Sequence, residues 1–446
     1  MAFDFPNSPT VGQIATGPGG QSYQFDGSKW VILGGTTPGW IVISDTVPTN
    51  PAVGQFWLDS LGMQVYVYYQ DPSSAQWIPV SNQPISRTFG NPNKLLNPFM
   101  EIDQANEGAG IGLANGQALY AVDGFRGVFT TSGGASTASI GRSPTGTAPP
   151  GYTYSATLAM GGTGASSVGA GDFFRMDSLL EGDDLYDLAW GTSGAQSVTL
   201  SFWVLASIAN TYYVSIRNGA ANRSYVAPFT VSTANVWQNF TITIPGDTGG
   251  AWTLYGNALQ MYVTWAAACG TTYQAPSANV WQAGNFMSIT GASNTFLLTA
   301  SAIFRLGPCK LEVGPSATPM LRQSFQAELQ RCQRYYEKSY TIGTAVGAGT
   351  SSDAFWTDWY SPAYAASSIQ MGQSFYYKVP KRAIPTLSLY SPVTGASGKL
   401  RDAGANADVN GTIWVNGTNS FGWYGTLAAA SNNGLLYGHM VADARL

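Results

Sequence analysis

The sequence predicts an all-β protein, with small N-terminal β repeats, a central jelly-roll sandwich, one amphipathic helix and a C-terminal β-domain. Three observations carry that expectation. The 446 residues are 44% hydrophobic and 13% aromatic but only 10% charged, with 53 Gly. That is a composition of strand and turn formers whose surfaces are covered by uncharged polar groups, and it is too apolar for a disordered chain. Short alternating runs recur at roughly even spacing between Leu95 and about Pro315, as in a two-sheet sandwich. No regular alternation of strand and helix patterns occurs, which argues against a parallel α/β sheet.

The first 80 residues hold an imperfect repeat. Pro9-Thr-Val-Gly-Gln13 leads to Tyr23-Gln-Phe-Asp-Gly-Ser-Lys-Trp30, and Pro51-Ala-Val-Gly-Gln55 leads to Tyr66-Val-Tyr-Tyr and Trp77. Each copy, residues 1–44 and 45–88, reads as a small meander too short to bury a core alone. Its role would be attachment, against a neighbouring copy or another subunit. Asn82 to Asn97, with Pro84, Pro92 and Pro98 close by, reads as a linker. The jelly roll is expected over residues 91–318, with strands such as Val198–Val204, Tyr212–Ile216, Trp237–Ile244, Leu259–Trp265 and Ala300–Leu306. A helix follows within 319–342, where Phe325, Leu329, Cys332 and Tyr336 fall at i, i+4, i+7 and i+11. Ser324 is placed to cap it. The stripe suits packing beside symmetry mates in a trimer, or on the sheet of its own domain. Residues 343–446 carry further strand patterns and form the second, smaller β-domain.

Charge and motifs exclude several functions. A net charge of −4 without a Lys/Arg cluster offers no footprint for nucleic acid. No run of 18 uncharged apolar residues exists, so no membrane insertion is expected. The start, Met-Ala-Phe-Asp-Phe-Pro, lacks the basic and apolar regions of a secretory signal. Cys269, Cys309 and Cys332 show neither disulfide nor metal spacing, so no metal and no cofactor are expected. The lone histidine, His439, reads as a strand residue with a local hydrogen bond. Glu181-Gly-Asp-Asp-Leu-Tyr-Asp187 is the densest acidic run, read as a solvated turn rather than a carboxylate pair or a calcium loop. Glu101 and Asp103 form a second, weaker acidic candidate. Nothing in the sequence asks for an enzyme.

Aromatic residues are the remaining resource. Rings stack on the apolar faces of sugars while Asn, Gln, Ser and Thr bond hydroxyls without charge. Candidates for glycan contact at expected loop positions are Trp252, Tyr255, Tyr273 and Trp281 in the central domain, then Trp356, Trp359 and Trp423 further on.

Four phrases then resemble the carbohydrate-binding-like jelly rolls of bacteriophage tail-fibre and adhesin-type virion proteins. They are Leu95-Leu-Asn-Pro-Phe-Met, the run through Thr199-Leu-Ser-Phe-Trp-Val to Trp237-Gln-Asn-Phe-Thr-Ile, Leu311-Glu-Val-Gly-Pro-Ser-Ala-Thr-Pro319, and Glu328-Leu-Gln-Arg-Cys-Gln-Arg-Tyr-Tyr336. Their order and spacing agree over roughly residues 93 to 340. The Pro-x-Val-Gly-Gln repeats are similar to small N-terminal modules of phage virion proteins. The resemblance implies a homotrimeric, non-enzymatic fibre or spike, made in the host cytoplasm and carried on the virion. Residues 1–88 would dock on other virion proteins, and the β-domains would bind host cell-surface polysaccharide. A polysaccharide depolymerase tail spike and a purely architectural head or collar fibre are the alternatives.

Overall fold

The computed structural model describes residues 5–16, 22–32, 41–62, 64–71, 74–80, 93–134, 137–143, 146–360, 370–428 and 433–446. The chain divides into two compact units, Met1–Asn91 and Pro92–Leu446.

In the first unit the repeat is visible in the hydrogen bonds. The Gln13 and Gln55 amides donate to Thr10 and Ala52 carbonyls, and their side chains accept from the Thr10 and Ala52 amides. Gly12 and Gly54, at φ of 88° and 84°, then donate to Phe25 and Tyr68. A left-handed backbone at that position is why both copies carry glycine. The first copy forms an antiparallel sheet of Ile14–Thr16, Ser22–Phe25 and Trp30–Ile32. The second forms a sheet ordered Ile41–Ser44, Phe56–Asp59, Gln64–Gln70 and Ala75–Pro79, whose first pair is parallel. Its two faces differ. Trp57 stacks on Tyr66 and meets Trp77 on one. On the other, Ile41, Ile43, Leu58, Val65, Ile78 and Val80 stand side by side, and Ile41, Ile43 and Val80 are more than half exposed.

The second unit holds the sandwich. One sheet of seven strands runs Trp281–Ala283, Arg223–Val231, Asn210–Asn218, Leu259–Cys269, Phe173–Glu181, Phe125–Thr130, Ala118–Val122. A sheet of six runs Gln238–Ile244, Val198–Ala206, Ile303–Val313, Ala156–Met160, Ala138–Arg142, Ile111–Leu113. Phe125, Phe174, Phe202, Trp265 and Phe304 fill the space between. Alternation along each strand delivers them inward, as period-two patterning requires. Residues 93–98 belong to this sandwich rather than to a linker. Asn93 bonds Cys309 and Leu311, and buried Asn97 holds the Ile102 and Asp123 carbonyls.

The helix is Phe325–Gln333, shorter than the expected 319–342, and Ser324 caps it by accepting from the Ala327 amide. Leu329 and Cys332 pack on Ile102 and Leu96 of their own chain. Tyr336 is not on the helix: Tyr336–Lys338 is a strand paired with Asp443–Val441. Helical periodicity continued in sequence, but ladder bonds to the last strand end the helix first. Of the stripe, Cys332 is fully buried and Phe325 is exposed.

The remaining strands roll around the long strand Asn433–Asp443, which pairs with Phe355–Tyr360, Thr386–Tyr390 and Lys399–Asp402. Ala407–Asn416, Ser420–Thr426 and Gln370–Tyr376 extend the sheet. Its interior holds Phe355, Leu400, Phe421, Trp423 and Leu436. His439 lies inside a hydrogen-bond chain. Met440 N–H donates to Ser339 Oγ, Ser339 Oγ–H to His439 Nδ1, and His439 Nε2–H to the Thr350 carbonyl. That network assigns the neutral Nε2–H tautomer, and the ring stacks on Tyr340 at 3.8 Å. Burial holds its pKa below the ordinary value. A depressed histidine contributes stability above its unfolded pKa, about 6.5, and loses it as pH falls through the folded value. The Tm of the native protein should therefore drop more between pH 7.5 and pH 5 than that of His439→Gln. Equal drops in a thermal melt would contradict this.

Candidate functional site

The sequence-predicted aromatics separate into two groups in the fold. In the central unit Trp190, Trp252 and Trp281 meet edge to face at centroid distances of 4.8, 5.2 and 5.8 Å. Each indole N–H is taken internally: Trp252 by Asp247 at 3.0 Å, Trp281 by the Pro245 carbonyl at 2.7 Å, Trp190 by the Gln196 carbonyl at 2.7 Å. Arg223 grips the same Asp247 with two bonds of 2.9 and 2.7 Å. Burial raises the Asp247 pKa, but Arg223, Trp252 and the Gly249 amide bring it below its ordinary value. Trp252 and Trp281 thus form a knot with Trp190 and remain partly exposed. Tyr273 is half-buried with its edge on Phe173. Tyr255 alone of this set stands open, 74% exposed.

In the C-terminal sheet Trp423 is 1% exposed and packs on Phe355 at 4.7 Å. Strand parity turns it inward with Phe421, leaving little of its ring at the surface. Trp359 lies on the strand Phe355–Tyr360, opposite Gly434; its side chain lies outside the described residues. Trp356 is 59% exposed on the outward face.

Trp356 borders an open groove. The strands Phe355–Tyr360 and Gln370–Tyr376 come beside each other, with Phe355 and Phe375 rings 5.7 Å apart. Among the described residues no ladder joins them. The groove along that seam is lined by Trp356, Asp358, Gln373, Ser374 and Tyr376, with Trp423 at its floor. Tyr376 is 74% exposed. Within the described chain the polar groups of Trp356, Asp358, Gln373 and Ser374 make no side-chain hydrogen bond. Two rings and an unsatisfied set of acceptors and donors are what an uncharged polyhydroxylated ligand requires. A second groove, with Ser351, Ala403 and Tyr437, lies on the other side of Trp356. Sequence reading missed Tyr376 and also Trp414, which is 63% exposed at a β-bulge where the register shifts between Ile413 and Val415. Alternation held the signal: with Phe375 and Ile413 facing in, their neighbours face out.

The acidic run forms two short turns, Gly182–Asp184 and Tyr186–Leu188, exposed at Asp183 and Asp187, but Glu181 before them is not solvated. Glu181 is buried and bonded by Arg334 at 2.7 and 3.0 Å and by the Tyr335 hydroxyl. Asp183 accepts from the Gly256 amide, and Asp187 pairs with Lys94 at 2.6 Å. Burial and then Glu181 raise the Asp184 pKa. Of the second acidic candidate, Glu101 pairs with Arg322, and Asp103 accepts from the Asn106 and Gly108 amides. Among the described residues no group of three His, Cys, Asp or Glu side chains is placed to hold a metal, and no helix is long and apolar enough to cross a membrane.

The fold is that of an all-β protein with a jelly-roll-like sandwich. Among solved structures it is similar to the enzymatically active domain of tailspike protein 4 of bacteriophage CBA120, at 8% identity and a TM-score of 0.25 over 50% of this chain and 21% of that one. It is similar to the carbohydrate-binding module TmCBM61 in complex with β-1,4-galactotriose, at 11% identity and 0.26 over 50% and 99% of the two chains. The family 11 carbohydrate-binding module of Clostridium thermocellum, in complex with a mixed-linked tetrasaccharide, gives 11% and 0.24 over 46% and 100%. Likeness at this level assigns neither ligand nor activity. No protein-family model and no curated protein matches the sequence.

Burial of Trp423 and exposure of Trp356 give opposite expectations. Trp423→Ala should cost about 3–5 kcal/mol in urea unfolding, as large core truncations do, whereas Trp356→Ala should stay within about 0.5 kcal/mol.

Proposed function

We propose that this chain is a bacteriophage fibre or spike protein that docks on the virion through residues 1–88 and holds host-surface polysaccharide, without cleaving it, in its C-terminal rolled sheet. The observation that carries the reading is the groove between Trp356 and Tyr376, where Asp358, Gln373 and Ser374 make no side-chain hydrogen bond among the described residues. A non-catalytic role is supported by the densest acidic run, where Glu181, Asp183 and Asp187 hold internal partners. The aliphatic face of the Ile41–Pro79 sheet supports attachment, because an exposed apolar sheet face marks a contact surface.

The binding test uses the full chain. The double variant Trp356→Ala/Tyr376→Ala should bind host cells at least tenfold more weakly than the native protein, with an unchanged Tm. Adsorption unaltered by the double change would remove the groove from the reading. Single sites are expected to be weak, with several copies per particle raising avidity. Incubation with host polysaccharide should release no new reducing ends. Release that disappears in Asp183→Asn/Asp184→Asn would make the protein a depolymerase instead.

Assembly and attachment have their own readouts. Light scattering should give about three times 47.2 kDa, and a monodisperse monomer at micromolar concentration would exclude the trimer. Ile41→Asp/Ile43→Asp should leave a soluble protein that no longer enters particles; normal incorporation would contradict the docking role.

A further inference from the structure

The seven-stranded sheet carries an uneven charge cluster on the face turned away from the sandwich core. Arg126, Asp177, Thr264 and Ser215 are register partners across four adjacent strands. Arg175 and Arg217 stand two residues along on the same face. Asp177 is wholly buried, and three guanidinium groups surround it: Arg175 Nε at 3.2 Å, Arg126 Nη2 at 3.6 Å and Arg217 Nη2 at 3.7 Å. Thr264 Oγ1 donates to Asp177 Oδ1 at 2.6 Å and accepts from Arg217 at 2.8 Å.

Three cations thus share one side-chain carboxylate in a place where a charge is costly unless paired. Burial pushes the Asp177 carboxyl up, but Arg175, Arg217 and Arg126 together hold it below its ordinary value. Burial and then Arg175 bring Arg217 down to about 10, still protonated at neutral pH.

Some of the guanidinium donors are left over. Each group offers five N–H donors, yet the Nε atoms of Arg126 and Arg217 are buried without a hydrogen-bond partner, as is Ser215 Oγ, and Arg175 Nε meets Asp177 as an ion pair without hydrogen-bond alignment. Arg217 reaches Asn285 Oδ1, and Arg126 reaches at 3.3 Å the backbone oxygen of the last residue, Leu446, which the Tyr120 hydroxyl also bonds at 2.7 Å. Arg175 Nη1 meets only the Met287 thioether, a weak acceptor. The nearby Arg445 and Asp443 pair with each other at 2.6 Å and supply no counter-charge. Arg126 and Arg175 keep 18% and 11% of their side-chain surface exposed, against 2% for Arg217.

We propose that Arg126 and Arg175, backed by Arg217, form a seat for one small oxyanion of the carboxylate or sulfate type. Arginine suits that ligand because its planar fork matches two oxygens at once. Asp177 then acts as the fixed counter-charge that keeps three guanidinium groups together when the seat is empty. The seat is separate from the aromatic groove and does not depend on the glycan reading.

Isothermal titration of the full chain in low-ionic-strength HEPES buffer tests it, with sodium sulfate, sodium glucuronate and glucose as probes. One anion per chain should bind saturably at millimolar concentration or below, and glucose should give no saturable heat. Saturation separates the seat from the general exclusion effect of sulfate, which has no stoichiometry. Arg126→Gln and Arg175→Gln should each weaken binding at least tenfold, while Asp177→Asn, which raises the local positive charge, should tighten it. Equal affinity for the two anions would identify a free oxyanion as the ligand; at least tenfold preference for glucuronate would identify the carboxylate of an acidic sugar. No saturable heat from either anion with the native protein would overturn the proposal, as would heats unchanged in both arginine variants.

Discussion

The second unit depends on how the segment Ser324–Tyr340 is tied on both sides by buried charge. Toward the sandwich, Glu328 accepts from the Asn97 amide, Arg334 and Tyr335 grip Glu181, and Lys338 pairs with Glu107. Toward the rolled sheet, Glu337 and Lys381 form a pair with neither side chain exposed, and Glu337 also accepts from the Lys378 amide. Burial lowers the Lys381 pKa and Glu337 offsets part of that. Removing one partner of such a pair costs about 3–5 kcal/mol, because the other is left charged and dry. These pairs join the sandwich and the rolled sheet, which have separate apolar cores.

That tie explains the fate of two features that read as chemistry in the sequence. The acidic run ends up as anchor points for Arg334 and Lys94 and as a backbone clasp at Gly256. The single histidine is held between Ser339 and Thr350, with burial lowering its pKa, and Ser339 directly follows the Lys338 anchor. Both positions hold the unit together. The surfaces proposed for ligands lie elsewhere, along the seam of the rolled sheet and over the arginine cluster on the sandwich.

The seam exists because the strand Asn433–Asp443 is long enough to serve several partners in turn. Its first half pairs with Phe355–Tyr360 and its second with Thr386–Tyr390, so the sheet curls until Gln370–Tyr376 meets Phe355–Tyr360 without a ladder. Unpaired strand edges are ordinarily a liability. Here the adjacent edges frame a cleft whose rim carries Trp356 and Tyr376.

Much of the fold was legible from residues alone. Alternating runs placed the strands of the sandwich, Ser324 marked the start of the helix, and the two Pro-x-Val-Gly-Gln phrases marked turns with the same bonds. These are local consequences of side-chain period, capping and backbone conformation, which a sequence encodes within a few residues. The site was legible only in part. Composition pointed to aromatic rings, but Trp423 went to the core, Trp252 and Trp281 into a knot with Trp190, and Tyr376 and Trp414 to the surface. The end of the helix before Tyr336 was likewise decided by pairing with residues over a hundred positions away. The sequence by itself determined which segments would be strands and where they turn. Only the tertiary structure decided which face of each strand is covered, because burial and charge pairing depend on partners that long-range register alone brings together.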